Sequence, residues 1–223
     1  IGKKYLITLH KGELKPLVKL FREYQLEEES LQENFSQGAA YILYRTIDRL
    51  VDYCFPILNK IVDNIEKVED NIFSDSMRGA VKELSNLRRD IISFRRIIWP
   101  MRAVISSLEP KIRRFTKMDL AVYFGDTVDH VDKIWDALDE YKEVVEGLND
   151  TYDSLATNRT NDVMRMLTVI ATILLPITVV ASIYGMNIPL PFQRSSFSLA
   201  FVFLIMIVII GGMLYFFRRK QLI

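Results

Sequence analysis

Cysteine occurs once in these 223 residues, at Cys54, and histidine only at His10 and His130. A single cysteine excludes a disulfide framework, and its place in an apolar helical pattern reads as a small buried side chain. The two histidines lie far apart in the chain, no nucleophile has a recognisable base, and no glycine-rich phosphate loop occurs, so an enzyme is the least supported class. A surplus of charge is missing too: the net charge is +1, which gives no reason to expect nucleic-acid binding. No apolar run near Ile1 reads as a signal peptide, because the apolar runs lie at the other end. There, charge itself is absent. Met166–Ile183 and Phe197–Phe217 contain no charged side chain, and about 21 apolar helical residues cross a hydrocarbon layer of ~30 Å. Two membrane spans are therefore expected.

The small net charge hides a split. Residues 161–223 hold Arg165, Arg194, Arg218, Arg219 and Lys220 against Asp162 alone. Basic residues before the first span and after the second place both ends in the cytoplasm of the cell (inner) membrane, with the short connection outside.

Before the spans the chain carries helical periodicity. Lys4–His10 reads as a β-strand with nothing ahead of it to pair with, so the rest of its sheet is expected from a preceding segment, and the chain is read as a fragment. Leu14, Leu17, Val18, Leu20 and Phe21 have the spacing of an amphipathic helix. From about Gln37 to Phe73, apolar residues between Ile42 and Ile72 sustain that spacing over a segment of roughly ten turns, with Pro56 expected to bend or divide the helix. A second stripe from Leu84 to Leu108, interrupted at Trp99-Pro100, predicts an antiparallel hairpin that Glu109-Pro110-Lys111 separates from the downstream segment. The pairs Arg88-Arg89 and Arg95-Arg96 fall on its outer side, as a solvated face or as salt bridges to a neighbour. From Asp126 to Tyr184 Gly147 is the only glycine and Pro176 the only proline, which predicts one helix. Val131, Ile134, Trp135, Leu138, Tyr141, Val145 and Leu148 approach a seven-residue repeat, so this helix should pack against copies of itself or other helices.

Its apolar half carries a second pattern. Asn161, Met164, Thr168, Ala171, Leu175, Thr178 and Ser182, with Leu167 beside them, form a stripe of small, polar or unbranched residues. Such a stripe either packs helices closely in lipid or lines a water-filled path through an oligomer. The span stops at Tyr184-Gly185-Met186-Asn187, where amides and carbonyls in a ring would hydrogen-bond the water shell of a cation. Mg²⁺ gives up that shell reluctantly and prefers oxygen.

Asn158-Arg-Thr-Asn161-Asp-Val-Met164-Arg-Met-Leu167-Thr168, with Pro176, Thr178 and Tyr184-Gly-Met-Asn187, resembles the pore helix of the CorA magnesium and divalent-cation channel family. Trp99-Pro100-Met-Arg102, Ser106-Ser-Leu108 and Tyr123-Phe124-Gly-Asp126-Thr-Val-Asp129-His130 extend the resemblance over the chain. It implies a homopentamer for passive uptake of divalent cations, chiefly Mg²⁺ with Co²⁺ or Ni²⁺ beside it, embedded in membrane lipid. It also implies Tyr184, Gly185, Met186 and Asn187 as selectivity filter, with Asn187 as the ring. Asn161, Met164, Leu167, Leu175 and Thr178 become pore-lining, Met164 and Leu167 at a hydrophobic constriction, with Ala171 and Ser182 on the same stripe. Asp126 matches a regulatory Mg²⁺ site between subunits, with Asp129 beside it; an N-cap role for Asp126 stays open on its residues alone. Family members often carry Met-Pro-Glu-Leu in the external loop. Here the loop reads Ile188-Pro-Leu-Pro-Phe-Gln-Arg194, without a carboxylate.

The expected fold is mainly α. Residues 1–36 would be the remnant of a cytoplasmic α/β domain, 37–125 a helical hairpin and 126–162 a stalk helix. Spans at 163–184 and 197–217 would flank an external loop at 185–196, and 218–223 would form a basic tail. Two alternatives stand beside the channel. A proton-coupled Zn²⁺ transporter of the same superfamily is disfavoured because the stripe has no ionisable relay, and a two-span sensor would be a dimer without a pore stripe.

Overall fold

The computed structural model describes residues 1–74, 79–186 and 197–220. Its helices are α1 (Lys15–Leu26), α2 (Glu28–Ser36), α3 (Ala39–Asp52), α4 (Cys54–Phe73), α5 (Ala80–Ile112), α6 (Ala121–Tyr184) and α7 (Ser198–Arg219). The chain forms two compact units, Ile1–Thr151 and Tyr152–Ile223, and α6 belongs to both.

In the first unit, α1 starts with Pro16 in its first turn, where a missing N–H costs no helical bond. Gly38 joins α2 to α3 at φ +89°, a left-handed conformation that a side chain would strain. The helix expected around Pro56 is divided: α3 ends at Asp52, and α4 begins at Cys54 with Pro56 in its first turn. Pro56 has no N–H to offer the Asp52 carbonyl, so the break falls one turn before the ring.

The breaks expected at Trp99-Pro100 and Glu109-Pro110 do not occur, since both prolines lie inside the continuous α5. The carbonyls they leave without a donor belong to Arg96 and Ser106, exposed residues whose backbone water can reach. Meanwhile Ile91, Ile98, Ile105 and Ile112 hold the opposite face in the core. At about 1.5–3 kcal/mol per buried aliphatic side chain, that face outweighs two lost backbone bonds. Lys4–His10 is not a strand, and Tyr5, Ile7 and Leu9 stand exposed. The alternation suits a strand, but no neighbouring strand among the described residues completes a ladder.

The early part of α6 buries Val131, Ile134, Leu138, Val145 and Leu148 of the seven-residue pattern, with Trp135 and Tyr141 half-buried. They are covered by helices of the same chain. Arg95 pairs with Asp139, Arg102 Nε lies 2.8 Å from Asp132 Oδ1, and Arg88 reaches Glu146 at 3.8 Å. Trp99 of α5 meets Trp135 of α6 with ring centroids 4.8 Å apart, and the Arg95 guanidinium lies 4.3 Å from the Trp135 ring centre. Two members of the basic pairs on α5 thus bind a neighbouring helix.

Among the described residues of the second unit, two helices are long and apolar enough to cross a membrane: the C-terminal part of α6, and α7 over Leu199–Arg219.

Candidate functional site

Helix α6 begins at Ala121, whose N–H donates to Asp119 Oδ1 at 3.0 Å. The capping carboxylate is therefore Asp119. Asp126 lies in the second turn, where it has no helix end to cap. Its side chain is 63 % exposed, and His130, one turn on, brings Nε2 to 4.0 Å from Asp126 Oδ2. Across from this turn stands α3, whose Asp48 and Asp52 share a face through their i, i+4 spacing. His130 Nδ1 lies 3.6 Å from Asp52 Oδ1, beyond hydrogen-bond reach, and that buried ring nitrogen has no hydrogen-bond partner. Phe55 meets the imidazole edge to face at 5.8 Å and fixes one side of it.

Asp48, Asp52 and His130 each bring one ligand atom within 4.8 Å of the others. Ligand atoms around Mg²⁺ at about 2.1 Å stand up to about 4.2 Å apart, so small side-chain rotations bring this set to coordinating distance. Two carboxylates and an imidazole are a donor set that fits a divalent cation, oxygen for Mg²⁺ and nitrogen for Co²⁺ or Ni²⁺; Asp126 faces the other ring nitrogen, Nε2, and is not among the three grouped ligand atoms. Burial, and next the charge of Asp52, push the Asp48 carboxyl above its ordinary pKa; Arg45 and His130 offset this in part. Negative charge is crowded here. Asp129 is exposed on the outer side of α6, and it is not among the three grouped ligand atoms. Sequence reasoning singled out Asp126 and Asp129 and missed Asp48 and Asp52. The signal available was their i, i+4 spacing, with nothing in the sequence to join it to His130.

In the second unit the stripe has a clear position on its helix. Asn161, Met164, Leu167, Thr168, Ala171, Leu175, Thr178 and Ser182 are all exposed. Val169 is only 7 % exposed, and Ile173, Pro176, Ile177 and Val180 are half-buried. At 100° per residue the covered set lies opposite the stripe, so the chain's own contacts leave the stripe uncovered. The Thr168 and Thr178 hydroxyls donate to the carbonyls of Met164 and Leu175, both at 2.8 Å. Their oxygens keep lone pairs for an outside donor such as a cation's water. Helical bonding continues past Tyr184, because Gly185 N–H donates to the Ala181 carbonyl at 2.9 Å and Met186 N–H to Ile183 at 3.3 Å. A Cβ at Gly185 would stand 3.2 Å from that Ala181 oxygen, tight against it. Asn187 and the loop through Ser196 lie outside the described residues.

The two described helices long and apolar enough to cross a membrane, joined to a helical first unit through α6, define the class: an integral membrane protein. The family described as "CorA-like Mg2+ transporter protein" matches residues 1–219, and the chain belongs to it. It is 38% identical over 184 residues to the cobalt/magnesium transport protein CorA of Thermotoga maritima, a match that takes in 82% of this chain and 52% of that protein. The chain thus spans about half the length of that relative. Identity to the cobalt/magnesium transport protein CorA of Methanocaldococcus jannaschii is 26% over 221 residues, or 99% of this chain and 69% of that one. The complete structure of the CorA magnesium transporter from M. jannaschii superposes with a TM-score of 0.83 at 25% identity, covering 96% of this chain and 67% of that chain. The full-length CmaX protein shares the fold, with a TM-score of 0.67 at 21% identity over 94% of this chain and 63% of that one.

Proposed function

We propose that the protein is a homopentameric channel for passive uptake of divalent cations, chiefly Mg²⁺. The observation that carries this reading is the stripe from Asn161 to Ser182, left uncovered on a membrane helix of a family described as Mg²⁺ transporters. Five such stripes facing one axis would line a path with Asn161 amides, Thr168, Thr178 and Ser182 hydroxyls and the small Ala171. Met164, Leu167 and Leu175 would form apolar rings, which stop ions by shedding water when narrow. At the outer end, Asn187 with Tyr184, Gly185 and Met186 is the proposed filter, a neutral ring that accepts the hydrated ion. Both termini would be cytoplasmic, with the basic tail on that side.

Asp126, Asp48 and Asp52 would supply oxygen, and His130 nitrogen, to a regulatory cation at the cytoplasmic body, with Asp129 turned to a neighbouring subunit. A bound divalent ion supplies positive charge to this acidic cluster. Without it the carboxylates repel one another, α3 and α6 are held together less firmly, and through Asp129 the neighbouring subunit is held less firmly as well, so low internal Mg²⁺ favours opening. The test is Mg²⁺ flux into liposomes holding the full-length protein. Asn187→Ala should raise the leak of other ions or abolish Mg²⁺ uptake; unchanged, selective uptake refutes the filter role. Flux that requires a proton gradient would refute passive conduction.

A further inference from the structure

The cytoplasmic end of α7 carries a charge pattern that spanning alone leaves unused. Arg218 and Arg219 stand three and four residues after Tyr215, so all three share one face of the helix. They and Lys220 are exposed, and none has a carboxylate partner among the described residues. Arg165 differs, since it pairs with Asp162 at 3.7 Å. One turn back on the Tyr215 face come Gly211 and Gly212, and beyond them the exposed Val208. The space beside both glycines is open: a methyl group there would meet nothing within 4 Å. From the bilayer outward this face therefore offers an apolar trough, an amphipathic ring and two guanidinium groups. An acyl chain, a glycerol backbone and a phosphate are arranged in the same order.

We propose that this end of α7 is a binding site for an anionic phospholipid. Its phosphate is held by Arg218 and Arg219, its interfacial region lies against Tyr215, and one chain runs over the Gly211-Gly212 trough. Planar guanidinium groups match phosphate oxygens in paired hydrogen bonds, and the low dielectric beside the bilayer strengthens the attraction. A zwitterionic headgroup carries its own cation and gains less. The site rests on the two-span reading and on no property of the pore.

The test is native mass spectrometry of the full-length protein in detergent, titrated with phosphatidylglycerol or phosphatidylcholine of the same chains. Phosphatidylglycerol should be retained more tightly, and Arg218→Gln with Arg219→Gln should cut that preference by roughly fivefold per guanidinium, the factor equivalent to about 1 kcal/mol. Lysine at both positions should keep only part of it, because the charge stays while the paired hydrogen bonds are lost, and Arg165→Gln should leave it unchanged. Equal retention of the two lipids, the result expected if a second copy covered this face, overturns the site. So does an Arg165→Gln loss as large as that of the pair, or displacement of bound lipid by inorganic phosphate. Retention of neither lipid would overturn the two-span reading along with it.

Discussion

Replacing Asp48 with asparagine should make the ion-free protein more stable at neutral pH. Asp48 and Asp52 bring carboxylate oxygens within 4.8 Å of one another. Two like charges at that separation repel by about 1 kcal/mol in water and about 3 kcal/mol at an effective dielectric near 20. The Asp52 side chain is 46 % exposed, so solvent holds the value toward the lower end, about 1–2 kcal/mol. Burial, the larger cause, and the charge of Asp52 together outweigh the attraction of Arg45 and His130, so the Asp48 pKa rises. A carboxyl whose folded pKa is raised binds its proton more tightly in the native state. The resulting cost is absent below the unfolded carboxylate value, sets in as pH climbs through the raised native value, and is full at neutrality. Asp48→Asn removes it with little change in shape or helix propensity. Thermal unfolding followed by circular dichroism in chelator should show a midpoint higher by roughly 2–8 °C at neutral pH, with the gain vanishing in acid. Added Mg²⁺ should narrow the gap from the other side. A ligand at a hundredfold excess over its Kd stabilises the native state by about 2.7 kcal/mol, and the variant, which offers a neutral amide oxygen in place of a charged carboxylate, should gain less. An unchanged midpoint in chelator would refute the crowding, and equal gains with Mg²⁺ would refute the shared cation.

Three further outcomes are expected. Leu138→Ala, which empties a fully buried position on α6, should lower stability by about 2–5 kcal/mol in denaturant titration. Arg95→Ala removes the Asp139 pair and the stack on Trp135 together; a loss of about 1–2 kcal/mol should shrink sharply in a Trp135→Leu background, and full additivity would contradict the contact. Burial pushes the Cys54 thiol above its ordinary pKa, so the unfolded thiol ionises first and stability should fall as pH rises past about 8.5. Native Cys54 should also alkylate slowly, and Cys54→Ala should flatten that alkaline slope.

The spans were legible because their signal is local: Phe197–Phe217 holds no charge, and no tertiary contact is needed to read that. The covered face of early α6 was legible for a similar reason, since Val131, Ile134 and Leu138 keep one phase. Pro100 and Pro110 misled because a proline rule counts the lost backbone bond and not the isoleucines packed on the far side. Lys4–His10 has the alternation of a strand, but a strand is a relation between two segments, and only one is present among the described residues. The candidate metal group was hidden for a comparable reason. Asp48, Asp52 and His130 become neighbours only through the packing of α3 on α6. Asp126 was singled out by resemblance, and the alternative reading of it as a cap gave way to Asp119 once the first turn of α6 was located.

The packing of Trp99 on Trp135 has an optical consequence. The chain has two tryptophans, and both rings belong to this one pair on α5 and α6. Light absorbed at the red edge, where tyrosine is transparent, is therefore emitted from a single place. At 4.8 Å the two indoles exchange excitation and should give a paired band of opposite signs in circular dichroism. Any event that slides α5 along α6 would change the colour and sign of that signal without a label, while both spans stay dark.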